Sequence, residues 1–255
     1  MTPKLQAFER ILHIMDELRA QCPWDKKQTI ESLRPLTIEE TYELSDAIIK
    51  RDMNLLKEEL GDLLLHIVFY VKLGEEQGAF DMTTVINDLC EKLIRRHPHI
   101  YGDVKVDNEE QVKQNWEKLK MKEGRKSVMG GVPESLPALI KAWRIQDKAK
   151  QVGFEWDNIE DVWKKVDEEL SELKEVAKEA NADRMEDEFG DVLFSLVNYA
   201  RFLNIDPETA LERTNRKFLK RFRYIEEVAT SRGKQLTDMT LGEMDAIWNE
   251  AKATT

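Results

Sequence analysis

The chain has 255 residues, a formal net charge of −11 and 35% charged side chains, with only 11 glycines and 7 prolines. That length allows one large domain or two modest ones, and the composition favours helices over sandwiches or barrels. The acidity argues against a general nucleic-acid or anionic-membrane partner.

Leu5, Phe8, Ile11, Leu12, Met15 and Leu18 recur at helical spacing, and CPWD at 22–25 ends that first helix. Cys22 here and Cys90 further on fit no metal spacing and need no bond to each other, which points to a reducing cytoplasm. The N-terminus lacks a signal peptide's apolar core, and the longest apolar runs, about ten residues, are too short to span a bilayer. Thr37 and Glu40 have the spacing of a capping box, predicting a helix over 37–50. Asp52 or Asn54 can cap a long helix over 54–77, and Asp81 another that Pro98 stops. A helix is predicted over 108–122. The segment 123–137, EGRKSVMGGVPESLP, has Gly and Pro interruptions and no apolar period, the signature of a linker.

The second half repeats the plan. A helix ends near Gly153, EWDN breaks the chain as PWDK did, and helices follow over 159–180 and 182–204. Asp206 and Pro207 suit the start of a helix running to 231, and Thr240 with Glu243 can box the last one. No strand is predicted. The expectation is therefore an all-α chain of two tandem helical-bundle domains, 1–122 and 138–255, joined by 123–137.

The repetition is metrical. An offset of 129 carries Glu40 to Glu169, Glu43 to Glu172, Glu59 to Glu188 and Asp62 to Asp191. Downstream, Lys92 and Arg96 match the four-residue spacing of Lys217 and Arg221, and Trp116 and Lys120 that of Trp248 and Lys252.

Residues three apart share a helix face, so each half offers two carboxylate pairs on helices joined by a short connection. Four converging carboxylates repel unless a cation sits among them. A set with only oxygen donors selects Mg²⁺ or Mn²⁺ over Zn²⁺. Gly61 and Gly190 lie inside the second pair of each set and suggest close approach of a neighbouring helix or of substrate. The runs that follow, LLLHIVFYV and VLFSLVNYA, are apolar on all faces and are expected to be buried all round. A single acidic pair is ordinarily a solvated helix face. Two pairs at a fixed distance, repeated with the same spacing beside an apolar run, are harder to explain that way. Lys217, Lys220, Arg221 and Arg223 read alone as a basic face, and Trp248 alone as core. His66 reads as a satisfied core histidine, and His97 and His99 as capping or surface residues.

EETYE at 39–43 with EELGD at 58–62, and DEELSE at 167–172 with DEFGD at 187–191, resemble the EExxE…ExxD pattern of the MazG family. RRHPHIYGDV at 95–104 and LPALIKAWRIQDKAKQVGFEWD at 136–157 are similar to full-length, two-domain members, so the resemblance covers essentially the whole chain. It implies an all-α nucleoside triphosphate pyrophosphohydrolase, using Mg²⁺, dimeric, and serving nucleotide-pool sanitation or alarmone control. By resemblance, Glu169, Glu172, Glu188 and Asp191 hold metal. Glu168 orients or deprotonates water, Lys217 and Arg221 hold phosphates, Arg184 is the substrate-binding basic residue ahead of the ExxD motif, and Trp248 with Lys252 holds the nucleoside end or its phosphates. The first-half equivalents are Glu39, Glu40, Glu43, Glu59, Asp62, Lys92, Arg96 and Trp116. Because the basic helix of the first half stops at Pro98, the second site is expected to be the main catalyst.

Two other readings compete. A carboxylate-bridged di-iron bundle needs Glu-x-x-His on two helices, which the chain lacks. A helical regulatory module would bind nucleotides without turnover.

Overall fold

The computed structural model describes residues 2–123, 127–179 and 181–253. Among them every regular element is helical: α1 (Pro3–Gln21), α2 (Ile30–Lys50), α3 (Met53–Glu76), α4 (Met82–Arg96), α5 (Pro98–Tyr101), α6 (Glu109–Lys122), α7 (Ala138–Lys150), α8 (Ile159–Val176), α9 (Ala182–Phe202), α10 (Pro207–Ser231) and α11 (Leu241–Ala253), with short 3₁₀ turns between some of them. No strand occurs among the described residues. The chain divides into two compact units, Met1–Glu109 and Glu110–Thr255. The division lies ahead of the 123–137 linker, and α6 falls almost wholly on the second unit's side. Residues 124–126 of that linker lie outside the described residues.

The first unit is organised around α2 and α3. Asp52 accepts from the backbone N–H groups of Asn54 and Leu55 and so starts α3. Arg51, at φ 56°, ends α2 in the left-handed region. A connection this short leaves the two helices no arrangement but an antiparallel hairpin. Met15, Leu33, Val68, Phe69, Val71, Leu73 and Met82 form the core, with α1 and the start of α4 closing it. Gly74 is required there: a Cβ would lie 2.3 Å from the Phe80 ring.

α2 begins earlier than predicted. The capping box is formed by Thr29 and Ser32, whose side chains and backbones bond reciprocally. Pro35 sits inside the helix, past its first turn, where the bond its nitrogen would donate to the Glu31 carbonyl is forgone. The Thr37 hydroxyl is thereby free of capping duty; it donates to Leu33 O and meets the Tyr70 hydroxyl at 2.8 Å.

The second unit pairs α8 with α9 and packs α7 against α9. Asn158, Asn181 and Asp206 cap α8, α9 and α10 in turn. The predicted box at the start of α11 is present: Thr240 N–H donates to Glu243, and Glu243 N–H to Thr240. Ile225, Ala229, Met239 and Ile247 form a core between α10 and α11.

Three expectations are corrected. The apolar runs are not buried all round within one chain. Leu60, Leu64 and Ile67 of α3 are exposed, and so are Phe189, Leu193 and Leu196 of α9. Gly61 and Gly190 meet no close neighbour, since nothing lies within 4 Å of a Cβ built on either. His66 is buried but not satisfied, because its Nδ1 has no hydrogen-bond partner.

Candidate active site

The helix pairs bring the carboxylates together as their spacing demands. In the first unit Glu40 and Glu43 on α2 and Glu59 on α3 each offer an oxygen within 4.8 Å of the others. In the second, Glu169 and Glu172 on α8 meet Glu188 on α9 within the same limit. Asp62 and Asp191 lie outside these groups of three but act on them electrostatically.

The electrostatics are those of a crowded anionic site. Burial, then the charges of Asp62, Glu43 and Glu39, push the Glu40 carboxyl above its ordinary value. Burial, with Glu43, Glu40, Asp62 and Glu58 adding to it, pushes Glu59 up. Burial also raises Glu188, together with Glu172, Asp191 and Glu169, while Arg184 acts in the opposite sense. Glu59 is 4% exposed and its Oε2 has no hydrogen-bond partner. A buried carboxylate oxygen without a donor, among two others, matches a hard divalent cation.

The second unit answers its charge with a residue that sequence reasoning missed. Lys165, one turn before Glu169 on α8, lies 2.8 Å from both Glu168 and Glu169. These two carboxylates raise the Lys165 ammonium well above its usual range. The offset of 129 places Leu36 at the corresponding position of the first unit, so this internal cation belongs to the second site alone.

The other expected residues are distributed as follows. The Arg184 guanidinium donates to Glu179 at 2.6 Å. Lys217 is exposed on α10. The Arg221 guanidinium lies 5.5 Å from the centroid of the Trp248 ring, and Lys252 donates to Asn249 at 3.1 Å. Trp248 also packs 5.1 Å from Phe218 and borders the α10–α11 core. In the first unit Glu39 adds to the charge on Glu40, while Lys92 and Arg96 lie on α4, which ends at Arg96. Trp116 is on α6, under the Lys120 ammonium at 5.7 Å, and falls on the second unit's side of the division.

A cavity of about 600 Å³ opens beside the second carboxylate group, with Lys165, Glu169 and Asp191 in its wall. Its floor is made by α7, α8, α9 and the segment after α7. Gln146, Trp156, Ser195 and Asn198 line it, and sequence reasoning passed over all four. One signal was present. Ser195 and Asn198 interrupt an apolar run three residues apart, on one helix face.

The model of the MazG nucleotide pyrophosphohydrolase domain matches residues 28–101 and again residues 158–225. The chain is 47% identical over 250 residues to the nucleoside triphosphate pyrophosphohydrolase/pyrophosphatase MazG of Thermotoga maritima, spanning 96% of this chain and 95% of that protein. It is 40% identical over 257 residues to the nucleoside triphosphate pyrophosphohydrolase of Escherichia coli K12, spanning 97% and 98% of the two chains. A crystal structure of a mazG-related protein from Thermotoga maritima aligns with a TM-score of 0.40 at 28% identity, over 44% of this chain and 98% of that one.

Proposed function

Since this chain belongs to the MazG nucleotide pyrophosphohydrolase family, we propose that it hydrolyses nucleoside and deoxynucleoside triphosphates between the α and β phosphates, giving the monophosphate and pyrophosphate. The observation that carries the reading is the group formed by Glu169, Glu172 and Glu188, whose oxygens lie within 4.8 Å of one another beside a cavity. With Asp191, these residues would hold Mg²⁺, or Mn²⁺ in its place. The ion's chemistry is Lewis-acid neutralisation of phosphate oxygens.

The chain's own residues do the rest. Glu168, adjacent to the group and not one of its three, accepts a proton from the attacking water. Lys165 bridges Glu168 and Glu169 and holds both carboxylates in place. Arg184, Lys217 and Arg221 supply cationic donors for phosphate oxygens. Trp248 and Lys252 stand at the nucleoside end or on its phosphates.

The second unit is the main catalyst in this reading. It has Lys165 and the cavity, and its basic helix α10 runs on to Ser231, whereas α4 stops at Arg96. The first carboxylate group is weaker or structural. A homodimer would cover the exposed stripes. Leu60, Leu64 and Ile67 map onto Phe189, Leu193 and Leu196 by the same offset of 129, so both units present one apolar face that a second copy can bury. No described helix is long and apolar enough to cross a membrane. The proposed setting is the cytoplasm, with a role in nucleotide-pool sanitation or alarmone-related control.

The test is a panel of normal and modified triphosphates with Mg²⁺, assayed for products with wild type, Glu172→Ala and Glu43→Ala. Monophosphate plus pyrophosphate, lost in Glu172→Ala and largely kept in Glu43→Ala, is expected. Diphosphate plus orthophosphate would reject the assigned bond. Mg²⁺-dependent binding without product would favour a regulatory module. Full activity in Glu172→Ala would sink the choice of second site.

A further inference from the structure

The geometry points to the cavity behind the second carboxylate group as the nucleoside pocket, with the Gln146 and Asn198 amides reading the edge of the base. The inference rests on the reaction proposed above and, of the two placements given there for Trp248 and Lys252, leaves them the phosphates.

The cavity's size is the first argument. About 600 Å³ lies within the range of small-molecule sites and admits a purine or pyrimidine nucleoside. Its chemistry is the second. Phe154, Trp156 and Phe194 supply aromatic walls suited to a flat heterocycle. Gln146 is 6% exposed. Its Nε2 donates to Phe194 O at 2.8 Å, which fixes the amide and leaves Oε1 as an acceptor with no partner in the protein. A buried acceptor left unmet is costly unless a ligand meets it. Asn198 is fixed too: Arg201 Nη2 donates to its Oδ1 at 2.7 Å, and Arg201 is itself held by Glu155. The Asn198 NH₂ group is then the donor that side chain has to offer. One preset acceptor and one preset donor make the pattern that a base edge complements.

Position is the third argument. Glu169 and Asp191 belong both to the proposed metal-binding set and to the cavity wall. The phosphate nearest the nucleoside is the α phosphate. A nucleoside seated in this cavity therefore delivers its α phosphate to the carboxylates and directs the β and γ phosphates outward. Cleavage between α and β follows from this seating.

The duplicated unit is the internal comparison. At the positions that correspond to Ser195 and Asn198, the first unit has His66 and Phe69. Phe69 is 2% exposed and belongs to the core cluster. Where the second unit keeps room and an amide, the first has a packed aromatic ring.

The experiment uses full-length protein in EDTA, so that metal does not contribute. Adenosine and cytidine are titrated by calorimetry and by saturation-transfer NMR into wild type, Gln146→Leu and Asn198→Phe, with circular dichroism as the check on folding. Both nucleosides are expected to bind wild type, and at least tenfold more weakly to each variant. The KM for the triphosphate should rise in parallel, with the ratio of KM between bases altered in Gln146→Leu, the near-isosteric variant that keeps the fold. Wild-type protein that binds neither nucleoside overturns the assignment. So do folded variants whose nucleoside affinity stays within twofold of wild type. Pyrophosphate release on the same preparations separates the two proposals. Nucleoside binding without any release keeps the pocket and rejects the reaction, whereas release with unchanged KM in both variants rejects the pocket alone.

Discussion

The ion pair between Glu155 and Arg201 ties the segment after α7 to the last turn of α9, and it should be among the strongest polar contacts of the second unit. The Arg201 Nη1 group donates to Glu155 at 2.8 Å, the second guanidinium nitrogen also meets that carboxylate, and Arg201 bonds Asn198 as well. The Arg201 side chain is 8% exposed and that of Glu155 19%. Removing one member of a buried pair strands the other, at a cost of about 3–5 kcal/mol. Glu155 retains some solvent, and Lys150 approaches it at 3.6 Å, so Glu155→Ala should fall toward the lower end, about 3 kcal/mol. Arg201→Met alone should cost a similar amount, because it leaves the carboxylate and the Asn198 carbonyl without their donor. The double variant should cost less than the sum of the singles, with coupling of about 1–3 kcal/mol. The assay is urea unfolding followed at two wavelengths, since two compact units need not unfold in one step. Only the transition of the second unit should move. Additive singles, with coupling below about 0.5 kcal/mol, would refute the claim that Glu155 and Arg201 act as a buried ion pair.

Other outcomes follow from the same geometry. Mg²⁺ should raise the melting temperature of wild type and raise that of Glu172→Gln less, because an ion held by the folded carboxylates stabilises only the folded state. That gain should shrink on acidification: Glu40, Glu59 and Glu188 are raised, so they take up protons at a higher pH than ordinary carboxylates and lose the ion as they do. Equal gains at pH 7.5 and pH 5 by scanning fluorimetry would contradict this. Glu243 behaves oppositely. Lys234, then the Thr240 backbone and hydroxyl, lower its carboxyl to about 2. Its contribution to α11 is present above the ordinary carboxylate range and is lost only as pH falls toward about 2. An NMR titration placing the Glu243 carboxyl at an ordinary midpoint would show the capping box to be unformed. Leu64→Asp with Leu193→Asp should halve the mass seen by light scattering at micromolar protein; an unchanged mass would place the dimer face elsewhere.

Helix starts were legible where a side chain with one function sat in front of an apolar period, as at Asp52, Asp81, Asp206 and Thr240. The start of α2 was placed too late because Thr37 and Glu40 have the spacing of a capping box, whereas the box that forms is that of Thr29 and Ser32. The carboxylate groups were legible because spacing on a helix fixes geometry: three and sixteen residues, repeated, admit one arrangement across a hairpin. At Gly61 and Gly190 the expectation was close approach of a neighbouring helix or of substrate, and no helix among the described residues approaches either. Both positions face open space, as do the apolar stripes beside them, so any close approach there comes from a second copy or from substrate. Lys165 was hidden because a lysine four residues before a glutamate is ordinary surface chemistry. Only convergence with Glu168 on one ammonium makes it part of the site.

The duplication turns this last difficulty into an argument. Two units share the carboxylates, the glycine and the exposed stripe at one offset, so a difference between them is informative in a way that a single occurrence is not. Three of the differences fall on the wall of the second unit's cavity: Leu36 against Lys165, His66 against Ser195, Phe69 against Asn198. In the first unit Phe69 fills the core, His66 is buried with its imidazole pushed toward neutrality, and Glu59 keeps an oxygen with no donor. In the second the same positions carry an ammonium, a hydroxyl and an amide around a cavity. Packing was traded for room and polarity in one copy only. A chain needing two equal sites would have no reason to fill one of them with an aromatic ring. Restoring room in the first unit, by Phe69→Asn with Leu36→Lys, should therefore cost that unit stability without creating a second functional site, because the offset of 129 places Glu17 of α1, a carboxylate and not an amide, at the position of Gln146.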